Sequence, residues 1–268
     1  MILCRWFQYL LLFGVLSPTM PLSAQICNGQ LGTNIFPDGD FGTGTAVIPG
    51  TDPGIAPGYN YVTNPPPNDG SYCLTNNMAG WDQDFGWLNP NDNSPNPLGY
   101  MMVVNASYDP GLFYERTIGG LCENTRYVFS ADIFNLMSPD ANNAIQPNLS
   151  FLIDGQVRYN SGNVPNNASW ITYGFEFTTD PGQTSITLAL RNNAPGGYGN
   201  DLCLDNISFR PCGPFVQIMP ISAEVFCEDD GPLLIQAVLS GTNYPNPAFQ
   251  WQVSRNGVLY TDIPGADS

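Results

Sequence analysis

The chain has 268 residues, and its 28 glycines and 25 prolines are scattered among short Val/Ile/Phe/Tyr runs. Seven arginines face 23 acidic residues with no lysine or histidine, a net charge of −16. A histidine-based triad, a lysine Schiff base and a lysine phosphate loop are therefore excluded, and nucleic acid or an anionic membrane would be repelled. Many turns between many short strands predict an all-β chain.

The first 24 residues read as a signal peptide. Arg5 precedes an apolar stretch from Trp6 to Leu16, and "LSA" offers small residues for cleavage before Gln25. The stretch is too short to span a bilayer, and no later segment reaches the run of about 20 apolar residues a membrane helix needs. The expectation is an exported, soluble chain without a membrane span. Six cysteines then remain (Cys27, Cys73, Cys122, Cys203, Cys212 and Cys227), and in an exported chain they read as disulfides. With no histidine and no paired CxxC, zinc is not expected.

The stretch 76–100, "NNMAGWDQDFGWLNPNDNSPNPLGY", gathers aromatic rings among Asp, Asn and Gly. Flat rings flanked by amides and carboxylates suit sugars, so Trp81 and Trp87 are candidate ligand-binding residues. The alternative is that both indoles anchor a long loop. "YMMVV" (100–104) and "RYVFSADIF" (126–134) are apolar on both faces, as central strands can be. "LSFLI" (149–153), "ITYGFEF" (171–177) and "SITLALR" (185–191) alternate and predict half-buried strands. Asp154-Gly155 predicts a two-residue hairpin turn. "RNNAPGGYGND" (191–201) is a second polar loop, with Tyr198 as its candidate ligand-binding ring.

"GNDLCLDNISFRPCGP" (199–214) poses a puzzle. Strict alternation puts Asp205 on the face of Ile207 and Phe209, where an unpaired carboxylate is costly. Three readings are open: a catalytic acid, a metal ligand, or a carboxylate held by turn amides. After "RPCGPF" the pattern changes, with Cys227, then Trp251, then the Asn256-Gly257 turn. This spacing resembles the front half of an immunoglobulin-like domain. The segment is shorter than the roughly 100 residues such a sandwich needs, so the expectation is part of a longer multidomain chain. The expected division is 1–24 signal peptide, 25–213 β-sandwich and 214–268 partial immunoglobulin-like domain.

Several stretches between Asn34 and Phe209 carry a family resemblance. "NIFPDGDFGTG", "LFYERTIGGLCENTRYVFSADI", "SWITYGFEFTT" and "TSITLALRNN…GNDLCLDNISF" resemble, in that order, the motifs of galactose-binding-like jelly rolls. Such domains are found as carbohydrate-binding modules beside secreted polysaccharide hydrolases. With "FQWQVSRNGVLYTDIPGA" added, the arrangement is similar to secreted or cell-surface proteins of gliding Bacteroidetes-type bacteria that use type IX secretion. The resemblance implies a jelly-roll β-sandwich, a bacterial cell-surface or secreted location, and glycan binding or adhesion. It also implies a structural calcium ion held by the closing Asp, here Asp205, and by an opening Glu. That opening position is Gly42 here, so Asp38 and Asp40 are the substitute ligands. Where jelly-roll termini approach, Cys27–Cys212 would join them, and Cys73–Cys203 is the second expected pair.

The expected function is non-catalytic, with a polysaccharide, a surface glycan or a surface protein as partner. A spacer or protein-adhesion module without a sugar ligand is the alternative. Glycoside hydrolysis by a carboxylate pair drawn from Glu115, Glu176 and Asp205 is a third reading.

Overall fold

The computed structural model describes residues 26–27, 29–36, 39–81, 86–219, 236–240, 250–253 and 259–267. The expected signal peptide lies outside them. No helix occurs among the described residues, and no helix there is long and apolar enough to cross a membrane. The strands up to residue 213 are β1 (Gln30–Leu31), β2 (Asn60–Tyr61), β3 (Ser71–Thr75), β4 (Met101–Asn105), β5 (Gly111–Gly119), β6 (Arg126–Asn135), β7 (Asn148–Ile153), β8 (Gln156–Asn163), β9 (Ile171–Thr178), β10 (Ser185–Asn192) and β11 (Leu202–Gly213). They form an all-β sandwich. The larger sheet runs β2-β3-β4-β11-β6-β9, with β1 beside β11, and the smaller runs β5-β10-β7-β8.

The alternating segments form strands as their patterns predict. Leu149, Phe151 and Ile153 of β7 face the inter-sheet core, as do Ile186, Leu188 and Leu190 of β10. Asp154 and Gly155 both take positive φ and turn β7 into β8. From the larger sheet come Tyr127, Phe129 and Phe209, with Tyr127 stacked on Phe209 at 4.9 Å between ring centroids. Each such ring contributes roughly 1.5–3 kcal/mol by leaving water.

A bulge resolves the position of Asp205. Asp205 pairs with Asp132 of β6 and Ser208 pairs with Ser130, so Asn206 and Ile207 together face a single residue, Ala131. Asn206 takes a positive φ of 48° to make the kink. A residue inserted on one strand flips the side chains beyond it. Leu202 and Leu204 before the bulge and Ile207 and Phe209 after it all reach the core, while Cys203 and Asp205 point to the other side of the sheet. Asp205 therefore does not share a face with Ile207 and Phe209, contrary to strict alternation.

That other side is also covered. Met78, Trp81 and Trp87 from the 76–100 stretch pack on Cys73, Met101, Val103, Phe134 and Cys203 as a second apolar layer. This is why β4 is apolar on both faces. The expected Cys73–Cys203 disulfide is absent, and both are buried free cysteines. Each pairs with Val103 from opposite sides, so β4 lies between them. Two strand spacings separate them by roughly 9–10 Å, beyond the limit of about 7 Å for a disulfide. The Cys203 sulfur instead lies 3.9 Å from that of Met78, and burial pushes the Cys73 thiol up to about 12.

The expected Cys27–Cys212 bridge is present, with Cα atoms 5.9 Å apart, and it fastens the residues before β1 to the end of β11. A disulfide closing a loop this long is compatible with an oxidising, extracellular setting. Cys122 is free and exposed. After Gly213, β12 (Phe215–Met219) pairs with β13 (Gln236–Ser240), and β14 (Gln250–Val253) pairs with β15 (Thr261–Asp267). Trp251 lies on β14, while Cys227 and the Asn256-Gly257 turn fall outside the described residues.

Candidate functional site

Residues 86–99 cross the outer face of the larger sheet as a strap. Trp87 bridges to Met137, Leu88 N–H donates to the Leu136 carbonyl at 2.7 Å, and the Trp170 indole donates to the Asn91 carbonyl at 3.1 Å. Trp81 and Trp87 are 6% and 2% exposed, so neither ring offers a stacking face for a sugar. Both indoles anchor the loop instead. Trp170 is structural too, resting on Phe134 at 5.5 Å.

Under the strap, Asp205 is fully buried. Its Oδ2 accepts the Asn93 N–H and its Oδ1 the Asn206 N–H, each at 2.7 Å. Asp132 beside it accepts the side-chain amides of Asn93 at 2.7 Å and Asn206 at 3.0 Å, and the Thr172 hydroxyl at 2.5 Å. Burial raises the Asp205 carboxyl to about 7 against the pull of the two backbone N–H groups, with Asp92 and Asp132 adding to the rise.

Of the expected metal ligands, Asp38 lies outside the described residues. Asp40 is exposed and caps its own turn by accepting the Gly42 N–H at 3.1 Å. It lines an open polar cleft with Asp132, Asn206 and Arg210, a cleft in which Asp205 takes no part. Calcium requires several converging oxygens, whereas the groups converging on Asp205 are N–H donors. Asp40 and Asp205, the described members of the set, do not fit a calcium ion. The carboxylates considered for hydrolysis are also apart. Glu115 belongs to the smaller sheet, while Glu176 and Asp205 flank β6 opposite Val128 and Asp132, four residues apart.

Tyr198 fares differently. Its ring is 56% exposed at the mouth of a cleft of about 270 Å³ lined by Asp69, Gly86, Asn105, Gly197, Gly199 and Asp201. The loop is set by Ile145, whose N–H donates to the Tyr198 carbonyl at 2.9 Å and whose carbonyl accepts the Asn200 N–H at 2.6 Å. Gly199 is required there, because it takes a φ of 103° and a Cβ would lie 2.5 Å from the Ile145 carbonyl oxygen.

Asp201 accepts the Ala106 N–H on Oδ1 and the Trp87 indole N–H on Oδ2, both at 2.9 Å. Burial raises its carboxyl to about 7, the two hydrogen bonds lower it, and Asp69 adds to the rise. Asn105 is 3% exposed and donates its amide to the Pro67 carbonyl at 2.9 Å, and its Oδ1 accepts no hydrogen bond among the described residues. A ring at the mouth and oxygen acceptors on the walls suit a ligand rich in hydroxyl groups. Asp69, Asn105 and Asp201 were not predicted, because they reach the cleft from the β2–β3 turn, the end of β4 and the start of β11.

No family model matches the chain, and no curated protein matches it. Among solved structures, the chain is similar to a Stig cyclase, Fisc, from Fischerella sp. TAU, at 14% identity over 53% of this chain and 74% of that one, with a TM-score of 0.39. It is similar to the C-terminal domain of EclA, a sugar-binding protein, at 17% identity over 49% of this chain and 96% of that one, with a TM-score of 0.31. The CBM22-1 xylan-binding domain of Paenibacillus barcinonensis Xyn10C is 12% identical over 42% of this chain and 72% of that one, with a TM-score of 0.29. None of these similarities places the chain in a family.

Proposed function

We propose that this chain is a non-catalytic glycan-binding module of an exported or cell-surface protein, and that the Tyr198 cleft holds the sugar. The observation that carries this reading is an exposed tyrosine above walls made of acceptors, namely Asp69, Asp201 and the Oδ1 of Asn105, which accepts no hydrogen bond among the described residues. A pyranose would lay a C–H face on the ring and donate its hydroxyls to the three acceptors.

One feature favours a second reading. A carboxyl raised to about 7 beside a second acid is the signature of a glycosidase acid. Against it, both Asp201 oxygens are tied to protein N–H groups and the residue is 6% exposed, an arrangement suited to a fixed acceptor.

Binding of the protein to an array of neutral glycans tests the proposal. Tyr198→Ala is expected to weaken glycan binding roughly five- to thirtyfold, a stacking loss of about 1–2 kcal/mol. Equal binding by wild type and Tyr198→Ala would remove the cleft from recognition. Release of reducing sugar, abolished by Asp201→Asn, would replace binding with hydrolysis.

A further inference from the structure

The smaller sheet carries a second polar surface, which the Tyr198 cleft does not use. Its core-facing residues on β7 and β10 are apolar, and on the other face lie Asn148 and Ser150 of β7, Asn160 and Asn163 of β8, and Arg191 of β10, followed by Asn193. These six side chains form one hydrogen-bonded network. Arg191 Nε donates to Asn193 Oδ1 at 3.0 Å. Asn193 Nδ2 donates to Ser150 Oγ at 2.8 Å and to Asn148 Oδ1 at 3.4 Å. Asn148 Nδ2 donates to Asn163 Oδ1 at 2.9 Å, and Ser150 Oγ donates to Asn160 Oδ1 at 2.7 Å.

The guanidinium sets the direction of the bonds that start from Asn193. It has no acceptor atom, so the oxygen of Asn193 must face Arg191 and its amide nitrogen must face Ser150 and Asn148. Asn148 then presents its own nitrogen to Asn163, and Ser150, whose oxygen accepts from Asn193, donates its hydroxyl proton to Asn160. Each of the four amide oxygens accepts one bond inside the network. At the exposed ends the amide nitrogens of Asn160 and Asn163 and the terminal nitrogens of Arg191 meet no acceptor among the described residues.

Two clefts adjoin this network. Asn148, Asn163 and Asn193 line one of about 500 Å³, and Arg191 lines the other, of about 680 Å³, with Ser107, Asp109 and Leu152. Asp109 makes no ion pair with Arg191, the ion pair among the described residues being Arg126–Glu176, so the guanidinium charge stays open.

We propose that this face binds an acidic polysaccharide, with a uronate carboxylate on the Arg191 fork and neighbouring sugar oxygens on the amides of Asn160 and Asn163. A guanidinium held at Nε presents its remaining N–H groups as a planar pair matched to a carboxylate. Asp109 lines the same cleft and opposes an anion there, whereas charges more than about 8 Å away are largely screened at physiological salt. The site is separate from the Tyr198 cleft and prefers the opposite hydrogen-bond chemistry, so it stands whether or not that cleft binds sugar.

Calorimetry of the protein with a galacturonate oligomer and with its carboxyl-reduced, neutral counterpart tests the proposal. The acidic oligomer is expected to bind at least tenfold more tightly than the neutral one. Arg191→Gln is expected to lose roughly tenfold or more. Arg191→Lys, which keeps the charge and loses the fork, is expected to fall between them. Asn163→Asp turns an exposed donor end into an acceptor, and it is expected to weaken the acidic oligomer even if Arg191→Gln fails to fold. Equal affinity for the two oligomers, no binding of the acidic one at low salt, or wild-type affinity in both Arg191→Gln and Asn163→Asp would overturn the proposal. Loss of neutral-glycan binding in Tyr198→Ala is read in a separate titration, so the two sites fail independently.

Discussion

Both faces of the larger sheet are buried, but by different means. On the inner face another sheet supplies regular apolar ranks, such as Phe129 against Phe151 at 5.3 Å, and the contact is almost wholly hydrocarbon. On the outer face Trp81 and, from the strap, Trp87 supply the apolar cover, and the strap's polar groups are satisfied one by one through Asp132, Asp201 and Asp205. The inner layer is made by periodicity and the outer layer by individual hydrogen bonds. The two should therefore fail differently.

The largest difference is expected from large-to-small changes. Phe129→Ala empties the centre of the inner core, and about 3–5 kcal/mol of stability should be lost in urea unfolding, with protection falling throughout the sandwich. Trp87→Ala should cost a similar amount at its own position, and it also strips Asp201 of a donor. Its effect should concentrate in the strap, where hydrogen exchange over residues 86–99 rises well before the strands exchange. Uniform loss of protection in both variants would show that the two layers unfold as one unit.

What the sequence revealed follows the same division. Leu149/Phe151/Ile153 and Ile186/Leu188/Leu190 were legible because the inner face rewards alternation. Asp205 was misplaced because one extra residue, with Asn206 at positive φ, inverts the alternation, and no residue type announces a bulge. Trp81 and Trp87 have the composition of a sugar platform and lie instead against Met101 and Cys203, a contact that depends on the strap folding back. Cys73 and Cys203 needed knowledge of strand order, since only the placement of β4 between β3 and β11 separates them. The exposure of Tyr198 was legible because its surroundings, glycine and asparagine, leave a ring little to bury against. Asp69 and Asn105, which line the same cleft, come from the β2–β3 turn and the end of β4 and carried no local signal.

The pH dependence of stability sharpens the comparison at intermediate size. The raised carboxyls, Asp201 and Asp205 at about 7, both belong to the outer layer. A folded value above the unfolded one means that the folded chain binds more protons between about pH 4 and pH 7. Stability should thus fall as pH rises through that window and level off above it, by at most about 1.4 kcal/mol per pH unit per group. Asp201→Asn cannot ionise, so its urea midpoint should change less between pH 4.5 and 7.5 than that of wild type. An unchanged slope would mean that Asp201 is charged throughout, held by Trp87 and Ala106.

The smallest effect is expected from calcium, and the reason lies in the atoms around Asp205. A cation there would have to displace the Asn93 and Asn206 N–H groups, each at 2.7 Å, and would meet amide nitrogens where oxygens are needed. Displacing Asn93 would also release its side chain from Asp132, so a bound ion would have to offset the loss of the strap's central anchor. Millimolar calcium should accordingly leave the melting temperature within about 1 °C of its value in EDTA, whereas an ion present at a hundred times its dissociation constant would add about 2.7 kcal/mol, several degrees for a chain of this size. Asn93→Ala makes the test sharper, because it removes the amide from Asp132 and keeps the backbone donor to Asp205. If that variant melts lower and still ignores calcium, the strap and not a metal ion is what the buried aspartates hold. A calcium-dependent rise in Asn93→Ala alone would show that the asparagine occupies a place a cation can take.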